Sequence, residues 1–211
     1  MIQGAIFDLD GTLLDSMSIW DTIGADYLRS LGIEPRENLA ETFKTFTLEE
    51  SAEYYRIHYG VTLSVSEIVD GVNGMIEDFY RNTVLLKNGV SAFLARLSKD
   101  GVKMCLATVT DKYLAEAALT RLNVREYFDE IFTTAEVGCG KNDPTIYRTA
   151  LAYLGTEKCE TLVFEDVLHA LMTAKNDGFP VAAVYDEHEP RQKEMQANGD
   201  YYITDFEMVT I

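Results

Sequence analysis

The sequence predicts an α/β protein with a doubly wound parallel sheet and an inserted helical domain. Six short apolar runs alternate with segments of helical periodicity over most of the 211 residues, and this alternation is typical of parallel βαβ units. Between about residues 16 and 80 the alternation stops and only helical periodicity remains. We therefore expect a core domain of residues 1–15 and 81–211 and an inserted helical domain of residues 16–80.

Each strand of the core domain is expected from a short run rich in apolar residues. The six runs are Gly4 to Phe7, Val102 to Ala107, Glu130 to Thr133, Thr161 to Phe164, Val181 to Tyr185 and Tyr201 to Thr204. Helix boundary signals lie between several of these runs. Gly101 is placed to end the helix that begins near Val90. Asp143 with Pro144 is placed to begin a helix that Gly155 ends.

The inserted segment opens with apolar residues spaced three to four apart, which predicts an amphipathic helix. These residues are Met17, Trp20, Ile23, Tyr27, Leu28 and Leu31. Two capping-box patterns, Thr47 with Glu50 and Ser64 with Glu67, each predict the start of a further helix. The segment carries 12 acidic and four basic residues, so it offers no basic surface.

The overall charge restricts the possible partners. The chain has 18 basic and 35 acidic residues, a net charge of −17 at pH 7, whereas nucleic acids and anionic membranes are bound through basic patches. Three cysteines without CxxC spacing argue against a disulfide framework or a zinc site. The N-terminal residues do not resemble a secretory signal, and no apolar run reaches the length of a membrane span. We expect a cytoplasmic protein with no nucleic-acid or membrane partner, and no protein partner is indicated.

Acidic residues follow the first predicted strand at a spacing that suits chemistry. Asp8 and Asp10 lie two apart, so both carboxylates can point from the end of the strand towards one side. Ligands of open α/β folds bind at the carboxyl ends of the strands. Other polar groups occupy comparable positions: Thr108 closes the second run, Lys141 lies in a glycine-flanked loop after the third, and Glu165-Asp166 end the fourth. The alternative for Asp8 and Asp10 is that they belong to an acidic loop that only caps the following helix.

These motifs, in this order, resemble the haloacid dehalogenase (HAD) superfamily, in particular its β-phosphoglucomutase-like and phosphoglycolate-phosphatase-like branch. The resemblance covers essentially the whole chain. The matching segments are DLDGTLLDS at 8–16, the helical insertion, ATVT at 107–110, GK at 140–141 and FED at 164–166. It implies a Rossmann-like core with an α-helical cap domain, and phosphoryl transfer at the strand ends. The acid at Asp10 favours phosphoryl transfer over the dehalogenase chemistry of some family members. A halide leaving group needs no proton, so those members lack an acid at this position.

The resemblance also implies a role for each polar residue. Asp8 matches the nucleophile that forms an aspartyl-phosphate, and Asp10 matches the general acid and base. Thr108 would bind a phosphoryl oxygen beside a helix N-terminus, and Lys141 would offset negative charge. Mg²⁺, which prefers oxygen ligands, would be held by Asp8, the backbone carbonyl of Asp10, Asp166 and Glu165, the last as a ligand or an outer partner.

Several departures from the family pattern make the substrate harder to infer. Asn142 and Thr145 replace a usual proline and acid after Lys141, and Val167 and Ala170 replace a usual serine and glycine after Asp166. For substrate contact we expect Val109 beside Thr108, with Lys44 and Phe46 in the cap. The mutase pattern places an arginine for a second phosphate near this part of the cap, and it is absent here.

We therefore expect a Mg²⁺-dependent phosphatase that hydrolyses a small phosphorylated metabolite, such as a sugar phosphate, through an aspartyl-phosphate. The alternative within the same chemistry is a β-phosphoglucomutase-like phosphohexomutase. A different class, a phospho-accepting signalling or binding module, also gathers acids, a threonine and a lysine around an aspartate. Its acceptor aspartate, however, lies on a middle strand, and no helical domain interrupts its fold.

Overall fold

The protein is described here by a computed structural model covering residues 2–43 and 46–210. Its chain separates into two compact units. The core unit contains Met1–Ser16 and Val84–Ile211, and the inserted unit contains Met17–Thr83. Whether each unit folds as an independent domain stays a prediction. None of the helices in the described residues combines the length and the apolar composition that a membrane span requires.

The core unit is built on six parallel strands in the order β3-β2-β1-β4-β5-β6. They are β1 Gly4–Phe7, β2 Lys103–Thr108, β3 Glu130–Thr133, β4 Thr161–Glu165, β5 Val181–Val184 and β6 Tyr201–Ile203. The order reverses direction between β1 and β4, the point at which open α/β sheets place their ligands. The doubly wound parallel sheet predicted from the sequence is confirmed.

Helices connect and cover the strands of the core unit. They are α5 Val90–Lys99, α6 Lys112–Arg121, α7 Thr134–Val137, α8 Thr145–Leu154, α9 Leu168–Asn176 and α10 Gln192–Asn198. On one face of the sheet, α8, α9 and α10 pack against alternate strand residues such as Ile6 and Val163. On the other face, Phe7 stacks on Phe164 with ring centroids 4.2 Å apart, and both contact Phe93 of α5. Burial on both faces explains the nearly continuous apolar strands.

The inserted unit is helical throughout its described regular elements. They are α1 Ile19–Ser30, α2 Leu39–Phe43, α3 Leu48–Tyr59, α4 Val65–Asp78 and a π-helical turn at Phe79–Thr83. Both predicted capping boxes are present: the Thr47 hydroxyl accepts the Glu50 N–H, and the Ser64 hydroxyl accepts the Glu67 N–H. Each glutamate in turn accepts the backbone N–H of the capping residue, which satisfies donors that a helix start leaves free.

Candidate active site

A tight turn after β1 presents two aspartates. Asp8 continues the ladder to β4 through its N–H, which donates to the Phe164 carbonyl at 3.0 Å. Gly11 then adopts φ +75°, a left-handed conformation that is unfavourable for residues with a Cβ. Its N–H donates to the Leu14 carbonyl at 3.0 Å. The chain therefore turns back at once, which leaves Asp8 and Asp10 at the carboxyl end of the sheet.

Two hydroxyl groups hold the Asp10 side chain. The Ser16 hydroxyl donates to Asp10 Oδ1 at 2.6 Å, and the Thr110 hydroxyl donates to Asp10 Oδ2. Both donors belong to motifs recognised in the sequence, but neither was assigned a role there. With one donor on each oxygen the carboxyl group has a defined orientation, which a general acid and base needs.

Lys141 lies in the loop between α7 and α8, and its ammonium group is buried among carboxylates. Nζ donates to Asp8 Oδ1 and, at 2.8 Å, to Glu165 Oε1. Burial disfavours the charged ammonium, but the carboxylates of Asp8 and Glu165 outweigh it and raise the pKa of Lys141. The lysine is therefore a permanent positive charge beside Asp8, and it is only 6% exposed.

Three buried carboxylates meet where β1 and β4 end. Asp8, Glu165 and Asp166 each offer an oxygen, and these oxygens lie within 4.8 Å of one another. Burial, followed by the charges of Asp8 and Glu165, raises the pKa of Asp166. Burial likewise raises the pKa of Glu165, although Lys141 opposes this. The cluster is thus electrostatically costly as it stands, and a bound cation would relieve the repulsion.

The hydrogen bonds of Asp166 and Glu165 separate the carboxylate oxygens that have a donor from one that has none within the described residues. Asp166 Oδ1 accepts the Thr12 hydroxyl at 3.1 Å, and Glu165 Oε1 accepts the Tyr147 hydroxyl at 2.6 Å as well as Lys141. Glu165 Oε2, in contrast, is buried and has no hydrogen-bond partner within the described residues. A buried oxygen without a donor is rare. Together with an all-oxygen donor set it fits a hard divalent cation.

Thr108 and Val109 lie where β2 ends. The Thr108 side chain is buried, and its oxygen accepts the Thr110 N–H at 3.0 Å, so the hydroxyl hydrogen can be donated elsewhere. The Val109 side chain is exposed, which is compatible with the predicted substrate contact without testing it. Asp111 and α6 follow directly.

The loop after β5 contributes two further buried acids next to β4. Glu189 Oε2 accepts the Leu168 N–H at the start of α9 at 2.9 Å, and Arg191 binds both oxygens of Glu189 at 2.8 Å. Asp186 is paired with Lys87 at 2.7 Å. Because Val167 has no capping group, Glu189 replaces the missing cap of the helix that follows Asp166.

The substrate contacts predicted in the inserted segment are only partly described. Lys44 lies outside the described residues. Phe46 is 38% exposed and belongs to an aromatic group with Phe43 and Tyr54. It also borders a largely apolar cavity of about 400 Å³ inside the inserted unit. The aromatic rings of this segment therefore pack on one another, and a substrate contact by Phe46 stays a prediction.

The structure brings the predicted residues of the core unit into two connected groups. Asp8, Lys141, Glu165 and Asp166 form the buried charge cluster, and Asp10 is joined through Thr110 to Thr108. Sequence reasoning missed the contacts of Ser16, Thr12 and Thr110, although all three lie inside quoted motifs. It also missed Tyr147 and Glu189, for which the only sequence signals are an apolar helix face and an acid in an unremarkable loop.

Comparison with known proteins agrees with this geometry. The family model described as haloacid dehalogenase-like hydrolase matches residues 5–184. Hexitol phosphatase B of Escherichia coli K12 is 27% identical over 176 residues, covering 82% of this chain and 79% of the relative. A phosphorylated carbohydrates phosphatase of Thermotoga maritima is 28% identical over 193 residues, covering 84% and 82%.

Solved structures show the same fold at lower identity. A Thermotoga maritima protein provisionally assigned as a β-phosphoglucomutase superposes with a TM-score of 0.86 and 24% identity, covering 98% of this chain and 95% of its own. CbbY of Rhodobacter sphaeroides, solved with phosphate, gives 0.75 and 23%, covering 99% and 96%. With the family match spanning most of its length and the motif residues gathered at the strand ends, this chain belongs to the haloacid dehalogenase-like hydrolases.

Proposed function

We propose that the protein is a Mg²⁺-dependent phosphatase that hydrolyses the phosphate monoester of a small sugar-like metabolite through an aspartyl-phosphate on Asp8. The observation that carries the proposal is the placement of the Asp8 carboxylate against Lys141, beside Glu165 and Asp166. Two curated relatives are named as phosphatases of hexitols and of phosphorylated carbohydrates, which supports a polyol or sugar phosphate as the substrate class.

The donor set supports a magnesium ion. Asp8, Glu165 and Asp166 would hold it together with the backbone carbonyl of Asp10. Glu165 Oε2 provides a ligand atom to which no donor among the described residues is bonded. When bound, the ion would neutralise the carboxylates and attract a phosphate towards Asp8. Three carboxylates and one lysine leave the buried cluster with a formal charge of −2 when all are ionised, and one divalent cation cancels it.

The first half of the reaction transfers the phosphoryl group to Asp8. A carboxylate oxygen of Asp8 attacks phosphorus, the bond to the ester oxygen breaks, and Asp10 gives its proton to that oxygen so that the alcohol leaves. Lys141 offsets negative charge on the transferring group, and the Thr108 hydroxyl donates to one of its oxygens. Ser16 and Thr110 hold the Asp10 carboxyl group in place for the proton transfer.

The second half returns Asp8 to its starting state. Asp10, now a carboxylate, removes a proton from water, and the water oxygen attacks the phosphorus of the acyl phosphate. The bond between phosphorus and Asp8 breaks, which releases inorganic phosphate and restores the Asp8 carboxylate and the protonated Asp10. One residue thus acts as acid and then as base.

The charges of the inserted unit favour a phosphatase over a mutase. A mutase must grip a second phosphate while its bisphosphate intermediate turns over. The arginines in the described part of this unit are already engaged: Arg29 with Asp26, Arg56 with Glu53, Arg81 with Glu77, and Arg36 with the His58 carbonyl. Within the described part of the unit, an arginine that anchors a second phosphate would have to leave one of these contacts.

The test is hydrolysis of a chromogenic aryl phosphate and of a panel of hexitol, hexose and polyol phosphates with Mg²⁺. We expect Asp8→Asn to lower kcat by at least about 10³-fold, because nucleophile removal ends covalent catalysis. The matched control is Asp100→Asn, the same change at an exposed helix end, and it should retain full activity. Full activity in Asp8→Asn contradicts the proposal. Interconversion of hexose phosphates after priming with a bisphosphate would instead indicate a mutase.

A further inference from the structure

We propose that Tyr147 is a positioning residue that fixes the orientation of Glu165 in the carboxylate cluster. Its hydroxyl donates to Glu165 Oε1 at 2.6 Å, and both side chains are fully buried. The proposal rests on the proposed function in one respect: the oriented oxygen of Glu165 is taken to be a ligand of the divalent cation.

The fold gives Tyr147 a fixed position. It lies in the first turn of α8, which packs against β1, β2 and β3. Its ring belongs to the apolar cluster on this face of the sheet and meets Phe179 edge-on, with ring centroids 6.3 Å apart. A tyrosine has only two side-chain torsions, and a closely packed interior restricts both. The hydroxyl is therefore held at one point above the end of β4.

Glu165 uses its two oxygens differently, and this difference is the core of the inference. Oε1 receives two donors, Tyr147 at 2.6 Å and Lys141 at 2.8 Å. Oε2 receives none within the described residues and is buried. When two donors hold one oxygen of a planar carboxylate, the direction of the other oxygen is fixed as well. Tyr147 thereby helps to keep Oε2 as the oxygen without a donor, which a cation can bind.

Lys141 alone is less suited to this task. Its ammonium group also donates to Asp8, the proposed nucleophile, so its position must respond to charge that moves onto a transferring phosphoryl group. The Tyr147 hydroxyl donates to Glu165. The ring that carries it is packed in the apolar cluster against Phe179, so the hydroxyl keeps its position and remains a donor to Glu165. Tyr147 therefore keeps its hydrogen bond to Glu165 throughout the reaction, whereas the position of Lys141 changes with the charge on Asp8.

The proposal is tested with Tyr147→Phe, which removes the hydroxyl and keeps the ring. We expect Mg²⁺ affinity, measured by titration calorimetry, to fall about 10-fold, as is typical when a partner of a metal ligand is lost. The Mg²⁺ concentration for half-maximal activity should rise similarly, with kcat largely recovered at saturation. Tyr202→Phe is the matched control, since its hydroxyl donates to Gln192 at 3.0 Å elsewhere in the same unit, and it should bind Mg²⁺ like the wild type.

A double-mutant cycle separates positioning from a general loss of structure. In a Glu165→Gln background we expect Tyr147→Phe to have little further effect on Mg²⁺ affinity, whereas a merely structural role would add the same loss in both backgrounds. Unchanged Mg²⁺ affinity in Tyr147→Phe, or additive losses, overturns the proposal. Wild-type protein that binds no Mg²⁺ overturns it together with the proposed cation. Wild-type protein that binds Mg²⁺ but hydrolyses no phosphate ester contradicts the proposed function alone.

Discussion

At the scale of single residues, the carboxylate cluster that the proposed function requires lowers the stability of the fold. Asp8, Glu165 and Asp166 are buried together, and the pKa of Asp166 is raised first by burial and then by its acidic neighbours. Buried like charges destabilise a fold unless a counter-charge is present. The cluster is therefore a place where a variant can be more stable than the wild type and inactive.

Asp166→Asn should reveal this conflict. The amide removes one negative charge, while its oxygen can still accept the Thr12 hydroxyl that binds Asp166 Oδ1 at 3.1 Å. In the presence of EDTA we expect the variant to unfold in urea with a free energy about 1–2 kcal/mol above that of the wild type. Saturating Mg²⁺ should reverse the order, since a ligand at 100 times its Kd stabilises by about 2.7 kcal/mol. A variant less stable than the wild type in both buffers would contradict this.

The sequence indicates some of these residues and not others for a physical reason. Asp8, Asp10 and Glu165 could be predicted because a strand end fixes where its next residues point. Tyr147 could not, since its position on α8 reads like any apolar helix position, and only the tertiary structure shows its hydroxyl meeting Glu165. Glu189 reaches the start of α9 from a loop more than 20 residues further along, and local sequence carries no sign of such a contact.

At the scale of elements, the start of α5 depends on a close backbone approach. Gly89 precedes the helix with φ +77°, and a Cβ there would lie 2.3 Å from the Glu207 backbone nitrogen. Asn88 next to it donates to Asp205 at 2.8 Å. The C-terminal segment thus packs directly on the Asn88-Gly89 turn.

Gly89→Ala should therefore be far more damaging than conformation alone explains. A left-handed φ costs a non-glycine residue about 1–2 kcal/mol, and the backbone clash adds to this, so we expect a loss of at least about 3 kcal/mol in urea unfolding. Gly101→Ala is the matched control, with φ +79° and open space around the added methyl group. Equal losses in the two variants would show that the contact with Glu207 is unimportant.

The strands and the capped helices could be predicted because their signals are local. All six apolar runs are strands, to within one residue at each end, and both capping boxes form. The π-helical turn at Phe79–Thr83 was not predicted, because the residues there continue an ordinary helical periodicity. Glu165 is the last residue of β4, one residue beyond the predicted run of Thr161 to Phe164, because pairing with β5 extends the strand past its apolar residues.

At the scale of the whole molecule, some of the acidic side chains form ion pairs between elements that are distant in the sequence. Asp177 directly follows α9. Its two carboxylate oxygens share the N–H of Arg148 Nε of α8 at 3.0 Å, and the carboxylate also accepts Arg148 Nη2 and, at 2.8 Å, Lys158 Nζ. The hydrogen bonds from Arg148, with those from Lys158, lower the pKa of Asp177 to about 2 against the opposing effect of burial. This carboxylate therefore links three segments of the core unit.

Asp177→Asn should lower stability in a pH-dependent way. A carboxyl group whose pKa is depressed on folding stabilises the native state above its unfolded pKa near 4, and that contribution is lost as pH falls through about 2. Because Arg148 is 59% exposed, solvent screening reduces the effect to about 1 kcal/mol. Urea unfolding from pH 7 to pH 3 should show the difference shrinking, with Asp26→Asn, at an exposed pair, as a smaller control. A constant difference would contradict the assignment.

The central position of β1 and β4 also determines when the carboxylate cluster can form during synthesis and folding. The Thr12 hydroxyl and Asp166 are neighbours in space but 154 residues apart in the chain, and closing such a loop is entropically slow. On a ribosome, Asp8 and Thr12 are synthesised about 150 residues before Glu165 and Asp166. The carboxylate cluster cannot form in a nascent or truncated chain that lacks β4, so the proposed cation binding would report that β4 has paired with β1.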